Sequence, residues 1–307
     1  MKKWAYLSIV VGAALWGIIG LFVEGLYRHG FTPTQVVGIR IITANVILLI
    51  FVVIKNPSLL IIKPSDGKYF VGTGILSVVL FNWCYFTAIK ETSLSIAAIL
   101  LYTAPAFVMI LSRIFFKEMF TKRKIIALGM TFLGCAFVIG IIPNESNSIS
   151  LYALFVGLGS GFGYALYSIF GKFALKKYSH LTITTYTFLF ASIAIVPASH
   201  LWDVVHLFHS GEVWLYGIGL GLFPTVLAFE LYTIGLSYIE SSRASITATL
   251  EPVVASLVGV LLFGEVLTIW QLGGIFFVLT SIILVQEQSK KREDRKCVDL
   301  QPGQLKS

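Results

Sequence analysis

The sequence predicts an all-α integral membrane protein of ten transmembrane helices arranged as two inverted five-helix repeats. Three observations predict it: apolar residues fall into successive blocks, Lys and Arg gather in alternate connections, and the chain matches itself at one fixed offset. Of 307 residues, 57% are hydrophobic and 12% charged, whereas a soluble domain carries about 25% charged residues. The apolar blocks are about 20 residues long, the length that crosses the hydrocarbon core as a helix.

Taken in order, the blocks predict helices over 4–24, 33–54, 69–88, 93–116, 124–142, 150–171, 181–200, 213–236, 242–263 and 268–286. Lys2 and Lys3 ahead of the first resemble the start of a signal peptide. The run from Trp4 to Val23 is too long for one and lacks a small-residue cleavage pattern, so it reads as a retained span. Lys55, Lys63, Lys68, Lys117, Lys122, Arg123, Lys124, Lys172, Lys176, Lys177 and Arg243 fall on the side of both termini. The opposite connections hold only Arg28 and Lys90, so the cation excess places both termini in the cytoplasm of a cell-membrane protein. Trp202, Trp214 and Trp270 then lie near outer helix ends, and Trp4 and Tyr69 near inner ones, at headgroup depth.

Pro105 and Pro252 stand 147 residues apart (252 − 105), and the same offset pairs Gly12 with Gly159, Gly72 with Gly219, Gly74 with Gly221, Tyr85 with Tyr232 and Glu118 with Glu265. Gly, Pro, Tyr and Glu each answer a specific backbone or polar demand, so these matches indicate duplication. The predicted units are a first repeat over 1–143, a second over 144–288 and a cytoplasmic tail over 289–307. Five spans per half is an odd number, so the second half enters the membrane from the opposite side. Inverted halves of this kind are a device of secondary transporters, in which the halves exchange conformations about a central site.

The segment AILLYTAPAFVMILSRIFFKEMFT, Ala98 to Thr121, and its partner TATLEPVVASLVGVLLFGEVLT, Thr247 to Thr268, resemble the duplicated signature of the EamA family in the drug/metabolite transporter superfamily. The Leu15–Gly17 start is similar too. The resemblance covers residues 4–286 and implies a ten-helix carrier with cytoplasmic termini that exports amino acids or other small metabolites. Lys117 stands where the second half has Gly264, a departure from the family's Gly-Glu pair.

Pro105 and Pro252 are the candidate hinges, since each strips the carbonyl four residues earlier, at Leu101 and Ala248, of its donor; a static kink is the bland alternative. Glu251 lies near the bilayer centre, where an ionisable group must face protein or water. It is either a buried acid bonded to backbone or a group that exchanges protons or meets a cationic substrate. Glu230 joins it as a second polar candidate. Trp16, Tyr85, Tyr102, Tyr164 and Tyr232 are candidate walls of a substrate cavity, although aromatics at helical spacing also serve plain packing. The glycines at 157, 159, 161 and 163 have no preceding strand, so close helix packing explains them better than a phosphate loop.

Cys84, Cys135 and Cys297 are far apart and show no metal-ligand spacing, and no metal or other cofactor is expected. The net charge of +8 is dispersed over the connections, which argues against nucleic acid. The expected partners are a small-molecule substrate, the lipid bilayer and possible coupling protons, with oligomeric state open. A secondary carrier working by alternating access is the leading expectation. A channel is its nearest alternative, and a membrane-embedded enzyme would need a catalytic constellation that the sequence lacks.

Overall fold

The computed structural model describes residues 2–139, 150–264 and 266–299, and of Lys2, Phe263 and 287–299 the backbone only. Among the described residues every regular element is helical. The expected boundary at 143/144, the connection 144–148, Glu265 and the end of the tail from 300 lie outside them.

The described helical segments group into ten rods in chain order. α1 comprises Lys2–Gly17 and Ile19–Arg28, α2 is Pro33–Lys55, and α3 comprises Gly67–Val71, a π segment Gly72–Val79 and Leu80–Glu91. α4 comprises Leu94–Leu101 and Ala104–Phe116; α5 is Lys122–Ile139, α6 Leu151–Ala174 and α7 His180–Ser199. α8 comprises Gly211–Gly221, a π segment Leu222–Leu227 and Ala228–Tyr238. α9 comprises Ser241–Ala248 and Glu251–Phe263, and α10 runs over Ile269–Asp299, past the expected end at 286. Among the described residues nine helices are long and apolar enough to cross a membrane. α5 has only 18 residues and opens on Lys122, Arg123 and Lys124, so it carries three charges over its length, whereas each of the other nine contains an 18-residue stretch with at most two. Large apolar side chains line the outside, Ile54 79% and Leu261 79% exposed among them, which lipid covers and water would not. The chain is a multi-pass membrane protein.

Local chemistry sets the helix starts. Thr32 and Gln35 form a reciprocal capping box ahead of α2, with Pro33 in its first turn. Ser93, Ser150 and Ser179 accept the amides of Ile96, Ala153 and Thr182 at the starts of α4, α6 and α7.

The fourth and ninth helices are broken, where the sequence predicts continuous spans with a kink. A proline ring collides with the carbonyl four residues back. Leu101 and Ala248, those carbonyls' residues, are the last of their segments. Pro105 and Pro252 then enter the first turn of the next segment, where a missing N–H costs nothing.

The packing follows the 147-residue offset. α1 packs on α8 as α6 packs on α3, and α1 packs on α9 as α6 packs on α4. α2 meets its own equivalent α7, and α5 meets α10. At the α2–α7 junction Asn45 donates to Ser192, its equivalent 147 residues on, at 3.1 Å. Between apolar helices in lipid the hydrophobic effect adds little, so close backbone approach carries the packing. A Cβ at Gly157 would stand 2.2 Å from Leu100, and one at Gly163 would stand 3.0 Å from the Phe81 amide. The α6 glycines are thus packing surfaces.

Candidate functional site

The two helix breaks, Tyr102–Thr103 in α4 and Thr249–Leu250 in α9, lie at equivalent positions of the two halves. They face one another across a void of about 10 Å³ lined by Leu101, Tyr102, Ala104, Pro105, Tyr164, Ser245, Ala248 and Thr249, room for about one water. The Ser245 hydroxyl is buried there without a hydrogen-bond partner. Thr103 and Thr249 hydroxyls donate to the Leu100 and Ile246 carbonyls at 2.6 Å each, which satisfies part of the interrupted backbone. Helix α6 closes over the first break through Gly161, whose Cβ would meet the Thr103 hydroxyl at 2.5 Å, and α1 closes over the second through Gly17, whose Cβ would meet the Glu251 carbonyl at 2.8 Å.

Glu251 begins the second segment of α9, immediately after the break. Its carboxyl lies close enough to the Tyr102 hydroxyl and to Arg40 of α2 to interact electrostatically with both. Arg40 is held in place from α8. Its Nε donates to the Thr225 hydroxyl at 2.9 Å, and its guanidinium lies 5.9 Å from the centre of the Phe229 ring. Thr225 in turn donates to the Leu220 carbonyl at 2.7 Å, the carbonyl that Pro224 strips of its amide donor. A proline-induced defect in α8 thus becomes an anchor for the buried cation. Arg40, Tyr102, Tyr164 and Glu251 are partly buried and each keeps some accessible surface.

The sequence candidates separate into three groups. Pro105, Pro252, Tyr102, Tyr164 and Glu251 come together at the breaks, with Tyr85 close enough to feel the Glu251 charge. Trp16 packs edge-on to Tyr164 at 6.1 Å and lies 5.4 Å from Tyr232. Trp16 and Tyr232 are only 5% and 2% exposed, and the Tyr232 hydroxyl is matched to Ser168 at 2.7 Å, so both are packed in the core. Glu230 lies apart from Glu251. It pairs with His180 of α7 and accepts from the Thr184 hydroxyl at 2.8 Å.

Arg40 and Thr225 are the site residues that sequence reasoning leaves out. Arg40 was visible as a cation two turns into the second helix, and Thr225 as the hydroxyl beside Pro224. Nothing in the chain brings them together, because α2 and α8 are paired by the tertiary fold. Of the cysteines, Cys84 and Cys135 are buried and free, and among the described residues no His, Cys, Asp and Glu cluster suits a metal ion.

Fold and site define a class: a helical membrane protein with an enclosed polar centre set between two repeat-related broken helices. The model of the EamA-like transporter family matches the chain twice in tandem, over residues 3–140 and 151–286. The chain belongs to that family. Two proteins of Archaeoglobus fulgidus named "Uncharacterized transporter" are similar, one 29% identical over 93% of this chain and 99% of its own length, the other 33% identical over 68% and 75%. The "Uncharacterized inner membrane transporter YicL" of Salmonella typhimurium is 25% identical over 93% of this chain and 96% of its own. A solved crystal structure shares the fold with a TM-score of 0.79 over 95% of this chain and 100% of that one, at 15% identity.

Proposed function

We propose that this chain is a secondary transporter that exports small zwitterionic metabolites such as amino acids by alternating access. In this reading α5 completes ten spans, the two five-helix halves are inverted, and both termini are cytoplasmic in the cell membrane. The observation that carries it is that Arg40 and Glu251, one basic and one acidic side chain, lie close enough to interact beside the break in α9. A guanidinium suits a substrate carboxylate and a carboxylate suits an ammonium group. Tyr85, Tyr102 and Tyr164 supply amphipathic walls for the rest of the molecule. Glu251 is also the group through which a proton gradient couples to export, since a carboxyl that alternates between substrate and proton links the two fluxes.

Counterflow in proteoliposomes tests the reading. Saturable exchange of labelled amino acids supports a carrier, and unsaturable flux supports a channel. Glu251→Gln is expected to abolish exchange, and Arg40→Gln to weaken apparent affinity for carboxylated substrates about ten- to hundredfold, the loss of one charge-assisted hydrogen bond. An unchanged pH dependence in Glu251→Gln would rule out coupling through that residue.

A further inference from the structure

One end of the bundle is tied shut by charges that join both halves. The Glu118 carboxylate, just past α4, accepts from the Ser241 amide at 2.7 Å and the Ser242 amide at 3.3 Å, and also pairs with the Ser242 hydroxyl. Those amides open α9, where free N–H groups and the positive end of the helix dipole favour an anion. Lys124 of α5, its side chain 2% exposed, lies 3.5 Å from Glu118 and 2.9 Å from Glu240. Arg243 donates to Glu240 at 2.6 Å and to the Val285 carbonyl of α10 at 3.2 Å. The network therefore fastens α4 and α5 of the first half to α9 and α10 of the second.

Packing at the two ends is unequal. The first segment of α9, Ser241–Ala248, packs on the second segment of α4, Ala104–Phe116. The 147-residue offset maps this pair onto Leu94–Leu101 and Glu251–Phe263, which form no comparable packed pair. Leu94 is 62% exposed. The positions equivalent to Lys124, Glu240 and Arg243 are Gln271, Ser93 and Ile96. Glu265, the equivalent of Glu118, lies outside the described residues, and the other three network positions carry no charge at the loose end.

We infer that Glu118, Lys124, Glu240 and Arg243 form a one-sided latch, so that closure of this end rests on buried ion pairs and closure of the other does not. The inference rests on the transporter reading. Under the proposed orientation the latch is on the cytoplasmic side, and the substrate-free protein favours the state open to the outside. Substrate movement against α4 and α9 at their breaks has to break these pairs before the cytoplasmic end opens, which makes that opening the costlier half of the cycle.

The test uses the full chain in sealed membrane vesicles of each orientation, with Ser245→Cys as reporter at the central void in a Cys297→Ser background. A membrane-impermeant maleimide is expected to label the reporter from the side opposite the latch only. Adding Glu118→Gln is expected to raise labelling from the latch side about tenfold or more, as removal of a charged partner shifts the population. Equal labelling from both sides in the parent, or unchanged rates in Glu118→Gln, overturns the inference. If Glu118→Gln does not fold, Glu240→Gln decides through spin labels at Arg113→Cys and Tyr238→Cys: a longer, broader distance supports the latch and an unchanged one overturns it. Labelling needs no substrate. Failure here with counterflow intact therefore removes only the latch, while an opening latch without counterflow removes only the transporter reading.

Discussion

Lys117 adopts φ 56° and its equivalent Gly264 φ 69°, both at the left-handed end of a broken helix. A left-handed residue with a side chain costs about 1–2 kcal/mol, partly offset in glycine by greater freedom of the unfolded chain. The departure from the repeat pattern at this position is thus a strained residue in an unaltered backbone. Lys117→Gly is expected to stabilise the detergent-solubilised protein by about 1 kcal/mol, read as a raised Tm, whereas Gly264→Ala should lower it by a similar amount. Legibility at this scale was uneven. Glu251 and the two prolines were visible because each residue type is out of place in a membrane helix. Arg40 and His180 were visible as residues, but their partners Thr225 and Glu230 lie 185 and 50 positions away in the chain.

Single elements are governed by where a helix can approach a neighbour or must give up its hydrogen bonds. A Cβ at Gly74 would meet the Thr187 carbonyl at 2.6 Å and the Ala191 amide at 3.0 Å, both rigid backbone, while one at Gly129 meets nothing within 4 Å. Gly74→Ala is therefore expected to destabilise by about 2 kcal/mol or more through overpacking. Gly129→Ala should be neutral or stabilise by up to about 1 kcal/mol from helix propensity; matched thermal melts distinguish the pair. Hydropathy found both glycines without telling them apart, since spacing along one helix does not reveal what the next helix presents. It also located the described rods to within a few residues, except for the end of α10, while missing the π segments at Gly72–Val79 and Leu222–Leu227. Their extra backbone width leaves the apolar pattern almost unchanged.

At the scale of the whole molecule, the duplicated sequence becomes a duplicated set of helix contacts, with Asn45 and Ser192 meeting as equivalents. Its functional asymmetry lies in the charges at one end. Burial pushes the Glu240 carboxyl up, but the hydrogen bonds and charges of Lys124 and Arg243 prevail and hold it below its ordinary value. A carboxyl depressed by folding contributes stability above its ordinary value, about 4.3, and loses it only as pH falls through the lowered one. Latch-side labelling of the central reporter, normalised at each pH to the reaction of a free thiol with the same maleimide, is thus expected to stay flat from about pH 8 to pH 5 and to rise only below the ordinary carboxyl value of about 4.3. A rise near neutral pH would assign control to another group.

The sequence by itself determined the membrane class, the approximate rods, the tandem repeat and the proline positions. These follow from the length of apolar runs, from residue types with strict backbone demands and from one offset, all of which are properties of neighbours along the chain. Only the tertiary structure decided that the prolines part their helices, that Arg40 of α2 shares an interior with Glu251 of α9, and that Glu118 closes one end against Ser241 and Ser242. The last two join residues more than a hundred positions apart, through hydrogen bonds and charges whose strength depends on a shared enclosure that forms when the helices pack.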